Sequence, residues 1–209
     1  MAISRPTRSG RGFTLVEILV VISIIALLAA ISIPALSAVR RSSDTKATKA
    51  FLERLRLQIE SYSNDFGDYP PSRASRIGYR GNEVNAGSEI LLRCLTTSKK
   101  AGPYFEFEDT QLGNTDQDSL AKGANPTRSV IRTAELLEIV DTWGNPILYL
   151  HNKDYDRGGQ VLLPNGNVTV PAYSHEKTKQ FAGLTSFQLW SAGVDGEVGT
   201  DDDVRVFGE

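Results

Sequence analysis

The sequence is poor in the residues that usually carry covalent chemistry or thiolate metal binding. It holds one cysteine, Cys94, so no intrachain disulfide can form and a zinc site built from several cysteines is excluded. A lone thiol without an evident partner reads as inert packing rather than a nucleophile. The two histidines, His151 and His175, stand in separate polar segments with no serine or cysteine in a recognisable catalytic setting, and both read as isolated surface residues. Glu106, Glu108 and Asp109 in "EFEDT" read as a solvated charge run. A net charge of −2 over 209 residues offers no basic excess, which argues against broad nucleic-acid binding. No catalytic constellation emerges, and the expectation is a chain that is not an enzyme.

A local absence says more. From Ile18 to Val39 there is no charged residue, and that run is long enough to cross a bilayer as a helix. Residues 1–12 before it are polar and basic, with Arg5, Arg8 and Arg11 and no acid, so their removal would take the net charge from −2 to −5. Arginines on that side place the N-terminus in the cytoplasm and the bulk of the chain across the membrane. A cleaved secretory signal fits poorly, because the apolar run is too long and no small-x-small site closes it. One carboxylate, Glu17, sits at the head of the run, five residues after Gly12. Unpaired in lipid, it costs about 2.5–3.5 kcal/mol, and a helix that served only as an anchor would do better without it.

Beyond Val39 about 170 residues remain, enough for one modest core. Residues 40–66 continue the helix with an apolar stripe at Ala47, Phe51, Leu55 and Ile59, flanked by Leu52, while Lys46, Lys49, Glu53, Arg54 and Arg56 face water. A helix from about Phe13 to Ser63 would measure roughly 75 Å. Pro34 falls inside its apolar half, where it removes a hydrogen bond and should kink or locally melt the helix. "NDFGDYPPS" ends it, with Gly67 as C-cap and Pro70–Pro71 as a stop. Residues 67–134 read as a long variable loop region with one short helix at Ser88–Leu95. Residues 135–209 carry the strand signals "NPILYLHN", "GQVLLP", "SFQLWSA" and "DVRVFG", separated by tight turns such as "RGG" and "PNGN". Short strands without intervening helices predict an antiparallel sheet, and the amphipathic half of the long helix is its available cover. The fold class is therefore α+β, a long N-terminal helix packed on a small antiparallel sheet.

"RGFTLVEILVVISIIALLAAISIPAL" resembles the N-terminus of type IV pilin-like proteins, with Gly12, Phe13, Thr14, Leu15 and Glu17 filling the motif and Pro34 at the usual proline position. The resemblance implies a pilin-like fold, removal of residues 1–12 by a prepilin peptidase cutting between Gly12 and Phe13, and methylation of the new Phe13 amine. It implies that residues 13–39 are a transmembrane and polymerisation helix. When such helices pack with an axial stagger, Glu17 of one subunit meets the Phe13 amine of its neighbour, and a wrong stagger leaves both charges unpaired. In a free monomer the carboxylate can instead snorkel to the headgroups.

"DTWGNPILY" and "SAGVDGEVGTDDDV" are similar to segments of the major pseudopilins of type II secretion systems, of the G type. In "DTWGNP", Trp143 reads as a large core plug, Gly144 with Asn145 as the turn, Pro146 as the start of a strand and Asp141 as the cap of that turn. In the second segment Gly196 and Gly199 let the chain fold back and bring Asp201, Asp202 and Asp203 towards Asp195. Calcium binds about six to eight oxygens and tolerates irregular geometry. Composition alone leaves a calcium site and a solvated acidic turn both open, and an EF-hand is excluded by the spacing. The resemblance implies calcium as cofactor, with side-chain ligands Asp195, Asp202 and Asp203 and backbone carbonyls near Ala192 and Thr200.

The implied function is that of a structural subunit of a periplasmic pseudopilus that drives type II protein secretion. Its implied partners are copies of itself, minor pseudopilins, the inner-membrane secretion platform, the prepilin peptidase and the membrane, with no nucleic acid. The implied location is the inner membrane, single-pass, with a cytoplasmic N-terminus and a periplasmic head. The alternative is a type IV pilin of a surface fibre for adhesion, motility or DNA uptake. Against it, many such pilins close their C-terminal region with a disulfide, which one cysteine cannot supply.

Overall fold

Apart from Pro34, the long uncharged run and the amphipathic stretch after it hold no strong helix terminator until Gly67, and the backbone obeys that pattern. A computed structural model describes residues 13–76, 82–119 and 135–208 of the chain. Helix α1 spans Leu15–Phe66, 52 residues. It is continuous past Pro34, a correction to the expected local melting. Proline removes one amide from the ladder, and the turns on either side keep the other bonds that hold the helix cooperatively. The Gly67 amide donates to the Ser63 carbonyl at 2.8 Å and closes the C-terminus.

Two units divide the chain, 1–42 and 43–209. In the first, the described residues are helical from Leu15 on and exposed, and the apolar stem is long and apolar enough to cross a membrane. Each exposed Leu, Ile or Val there forgoes about 1.5–3 kcal/mol of burial, which lipid or neighbouring helices would restore.

The second unit builds its core where the amphipathic part of α1 meets the sheet. Leu52, Leu55 and Ile59 are fully buried and pack with Tyr149, Phe187, Leu189 and Val206. The buried stripe differs from the expected one at its first position. Ala47 is exposed, and Thr48 is buried in its place, its hydroxyl 2.8 Å from that of Thr142. Positions 48, 52, 55 and 59 lie on one face at helical spacing, and a threonine that finds a hydroxyl partner can occupy the interior without an unsatisfied group.

The central sheet is three-stranded and antiparallel, in the order β3–β6–β7, and the remaining strands pair as β1–β2 and the hairpin β4–β5. The strands are β1 Leu112–Gly113, β2 Glu138–Ile139, β3 Leu148–His151, β4 Gly159–Leu163, β5 Gly166–Val170, β6 Phe187–Ser191 and β7 Val204–Phe207. Tyr149 pairs with Leu189, which pairs with Val206. The four strand signals fall on β3, β4, β6 and β7, and β5 is the one that "GNVTV" concealed.

The stretch expected as loop, 67–134, contributes more than expected. Helix α2, Ala86–Leu95, buries Ile90, Leu91, Leu92 and Leu95, and Phe105 joins the same core as α1. Gly, Ser and Asn between these residues dilute the hydrophobic pattern but leave enough apolar side chains to anchor the segment. Residues 77–81 and 120–134 of that stretch lie outside the described residues.

Candidate functional site

The stem opens on a hydrogen-bonded motif. Thr14 precedes the first residue of α1; its amide and hydroxyl donate to Glu17 Oε2 at 2.7 and 2.9 Å, and the Glu17 amide donates to the Thr14 hydroxyl at 3.2 Å. This is a capping box, and the T-x-x-E of "TLVE" was its signal in the sequence. The acid that looked unpaired therefore has donors in its own chain, at a helix end where the dipole favours negative charge. Phe13 stands just outside the helix, 82% exposed. Gly12 and the rest of the leader lie outside the described residues.

The C-terminal acidic loop follows β6. Gly196 and Gly199 take positive φ values of 65° and 94°, as the reversal requires. The return brings the Asp202 carboxylate to the main chain of Asp195: Asp202 Oδ2 accepts from the amides of Val194 at 2.7 Å and Asp195 at 3.2 Å, and its Oδ1 accepts from the Thr200 hydroxyl at 2.6 Å. A Cβ on Gly193, whose φ is 71°, would stand 2.4 Å from Asp202 Oδ2, so the carboxylate fills the space that this glycine leaves. Burial alone would raise the Asp202 pKa, but the Thr200 hydroxyl and the two amides outweigh it and hold the carboxyl below its usual range. Asp195 Oδ1 accepts from the Glu197 amide at 2.8 Å. Ala192 is buried at the end of β6, and Asp201 is exposed.

Asp203 is placed differently. Its side chain is fully buried, Oδ2 accepts from the Gly199 amide at 2.9 Å and is paired with the Arg205 guanidinium, and the buried Oδ1 accepts no hydrogen bond. Burial raises its pKa, against the Gly199 amide and Arg205. An orphaned carboxylate oxygen beside two further acids of one tight loop is a donor set suited to a hard divalent cation. Asp195, Asp202 and Asp203 are thus of the right chemical kind for the implied ion, but the structure does not gather their carboxylate oxygens within 4.8 Å of one another as it does those of Glu89, Asp116 and Glu138. Arg205 escaped the sequence reading, although residues 203 and 205 share one face of a strand-like segment.

The "DTWGNP" turn is tied to the loop. Asp141 Oδ1 accepts from the amides of Trp143 and Asn145, both at 2.9 Å, as the turn cap expected of it, and the Gly144 amide donates to the Asp141 carbonyl at 3.1 Å. Asp141 Oδ2 accepts from the Ser191 hydroxyl at 2.5 Å, and Asn145 Nδ2 donates to the Gly193 carbonyl at 2.8 Å. Ser191 and Asn145 thus join the turn to the chain entering the acidic loop. Pro146 bridges Val140, and β3 starts two residues later at Leu148. Trp143 is only half-buried, a correction to its expected role: the tryptophan of the interior is Trp190, 2% exposed. The turn aims position 143 outward, whereas strand β6 points position 190 into the packing beneath the β4–β5 hairpin.

A second carboxylate group was illegible in the sequence. One oxygen each from Glu89 on α2, Asp116 and Glu138 on β2 lies within 4.8 Å of the others, and Asn82 Nδ2 donates to both Asp116 and Asp118 at 2.9 Å. Burial, helped by the Asp116 charge, raises Glu138 to about 7, although the Thr115 amide and Asn85 oppose it. Asp118 rises to about 6 through burial and the same charge. His151 is also a correction, being buried rather than a surface residue. Its Nδ1 accepts from the Lys153 amide at 3.1 Å and its Nε2 faces Asp68 Oδ1 at 3.1 Å, so Nε2 carries the proton. This pins the segment after α1 to the end of β3. Cys94 is held as a protonated thiol, burial pushing it to about 11.

Residues 7–33 match the model of the prokaryotic N-terminal methylation motif. The chain is a pilin-like protein. It is 44% identical to a type IV wide pilus major component of Thermus thermophilus over 87 residues, covering 40% of this chain and 66% of that one. It is 32% identical to the type IV major pilin protein of Myxococcus xanthus over 100 residues, 43% of this chain and 45% of that one. Its likeness to the type II secretion system core protein G of Escherichia coli is weaker, 26%, but runs over 204 residues, 98% of this chain and 95% of that one. The matched stretches span 66% or less of the two pilins. No solved structure matches this chain. The pilin-like layout is what the fold shows, an apolar N-terminal helix whose continuation packs on small antiparallel sheets.

Proposed function

We propose that this pilin-like protein is the structural subunit of a pseudopilus, a filament built through α1 that drives type II protein secretion. The observation that carries the reading is the end-to-end likeness to a type II secretion core protein G, which includes the sheet and the acidic loop. In this reading a prepilin peptidase removes residues 1–12, and the exposed apolar stem holds the subunit in the inner membrane, N-terminus cytoplasmic and head periplasmic. Glu17 then exchanges its Thr14 donors for the Phe13 amine of the adjoining subunit. Two charges placed against each other in a packed stem favour one stagger over all others. Minor pseudopilins and the inner-membrane platform complete the assembly.

Asp195, Asp202 and Asp203, with the carbonyls of Ala192 and Thr200, would hold a calcium ion. Its charge would draw together acids that otherwise rely on main-chain amides, and so stiffen the loop for subunit contacts. The higher identity to type IV pilins over the N-terminal part favours a second reading, a surface pilus. Deleting the gene in its native cell separates the two: loss of folded-protein export with surface fibres intact supports the pseudopilus, and the reverse result sinks it. For the assembly step, Glu17→Gln should abolish filaments in reconstituted cells while the chain is still inserted and cut before Phe13. Normal filaments from that variant would refute the pairing.

A further inference from the structure

We propose that Arg205 is a built-in counter-ion of the acidic loop and sets how tightly that loop takes a divalent cation. The inference rests on the calcium reading above and adds to it a residue and a sign. Two neighbouring acids are engaged by neutral donors: Asp202 by two amides and a hydroxyl, Asp195 by the Glu197 amide. Among the described residues, Asp203 is the one acid of the loop paired with a cationic side chain, and it is also the one whose carboxylate is fully buried with an orphaned oxygen. A buried carboxylate without compensation is costly, so the guanidinium performs for Asp203 part of what a metal ion would do.

The guanidinium also has a second place to rest. Its central carbon lies 4.8 Å from the centroid of the Tyr173 ring, and that ring is stacked on Phe207 at 5.6 Å. An aromatic face holds a cation without needing a carboxylate. A divalent ion taking Asp203 therefore leaves Arg205 on Tyr173 rather than stranded, and exchange needs no rearrangement of β7. The competition has a definite direction. Carboxylates drawn onto a dication bind it less tightly when one of them already shares a positive charge, because cation affinity follows ligand charge. Removing that charge should tighten binding by about tenfold, the scale of one nearby charge in a partly solvated site. The same change should weaken the loop in chelator, where Asp203 loses its paired guanidinium.

The test is calorimetric titration of calcium chloride into the detergent-solubilised full chain, with proteolysis of the loop in chelator as a parallel readout. Arg205→Gln and Arg205→Met should each bind calcium about tenfold more tightly than the parent and be cut faster in chelator. Arg205→Lys keeps the charge and should stay within about twofold of the parent on both measures. A parent that binds while Arg205→Gln and Arg205→Met bind no better overturns the role of Arg205 and leaves the calcium reading standing. A variant that binds where the parent does not supports the inference in its strongest form. If neither parent nor variant takes calcium, the calcium reading fails and the inference falls with it.

Discussion

Between Asp195 and Asp203 the chain carries five acids in nine residues, whereas Glu89, Asp116, Asp118 and Glu138 are scattered over half a hundred positions. In sequence the first set is crowded and the second is not. In the head the order reverses. The terminal loop spreads its charges over amides, a hydroxyl and Arg205, and Asp202 ends below its usual range. Glu89, Asp116 and Glu138 of the scattered set are gathered by α2, the segment after β1, and β2 into one largely buried corner, where Glu138 rises to about 7. A dense acidic run is thus relieved by its own backbone, since tight turns supply inward-facing amides. Acids brought together by tertiary packing find fewer donors than burial and mutual repulsion demand: the Thr115 amide and Asn85 do not offset them at Glu138, and part of the charge is surrendered to protons instead.

This contrast can be broken from either side. The largest effect is expected from Asp202→Ala, which strips the loop of three hydrogen bonds at once. At about 1 kcal/mol per bond or more, cleavage within the loop should accelerate by tenfold or more, while Asp118→Asn should leave that rate unchanged. Equal sensitivity in both variants would erase the distinction between the regions. Next comes Ser191→Ala, which leaves Asp141 buried with one oxygen unmet; chemical denaturation should register a loss of about 1–3 kcal/mol. Smaller is the pH term. Glu138 is raised in the fold, so the fold binds a proton that the unfolded chain has lost, and stability falls as pH rises through about 7. Between about pH 6.5 and 8 the head should lose roughly 0.5–1 kcal/mol from this group, discounted for screening. Asp116→Asn should flatten that slope, and a slope of opposite sign would show that the corner is not crowded. The smallest effect belongs to Asp201→Asn. This exposed acid should change melting by less than about 0.3 kcal/mol.

His151 adds its own pH dependence on the acid side. Burial lowers its pKa, so the neutral ring is the folded form. That contribution is present above its ordinary value of 6.5 and is lost as pH falls below it. It therefore does not mask the Glu138 term at higher pH.

How much of this was legible varied with the kind of pattern. Helix α1, its C-cap, α2 and four of the seven strands followed from periodicity and turn residues, because those signals act over a few positions. The stripe on α1 was misplaced by one residue at its start, since alanine looks more apolar than a threonine whose hydroxyl has found Thr142. Trp143 was given the interior place that Trp190 holds, because size alone does not tell which way a turn points a side chain. Glu17 was read as an acid awaiting a neighbour, while the local capping box it forms with Thr14 went unread.

The sequence by itself determined the stem: an uncharged run, one acid at its head and a motif whose order leaves little freedom, all expressed along a single helix. It also determined the turn chemistry of the terminal loop, because glycine and aspartate act there through neighbouring amides. Only the tertiary structure decided which carboxylates are crowded, which tryptophan is buried, that His151 lies inside, and that Arg205 faces Asp203. Those outcomes depend on the packing of distant segments, where burial and charge are set by neighbours that no short stretch of sequence contains.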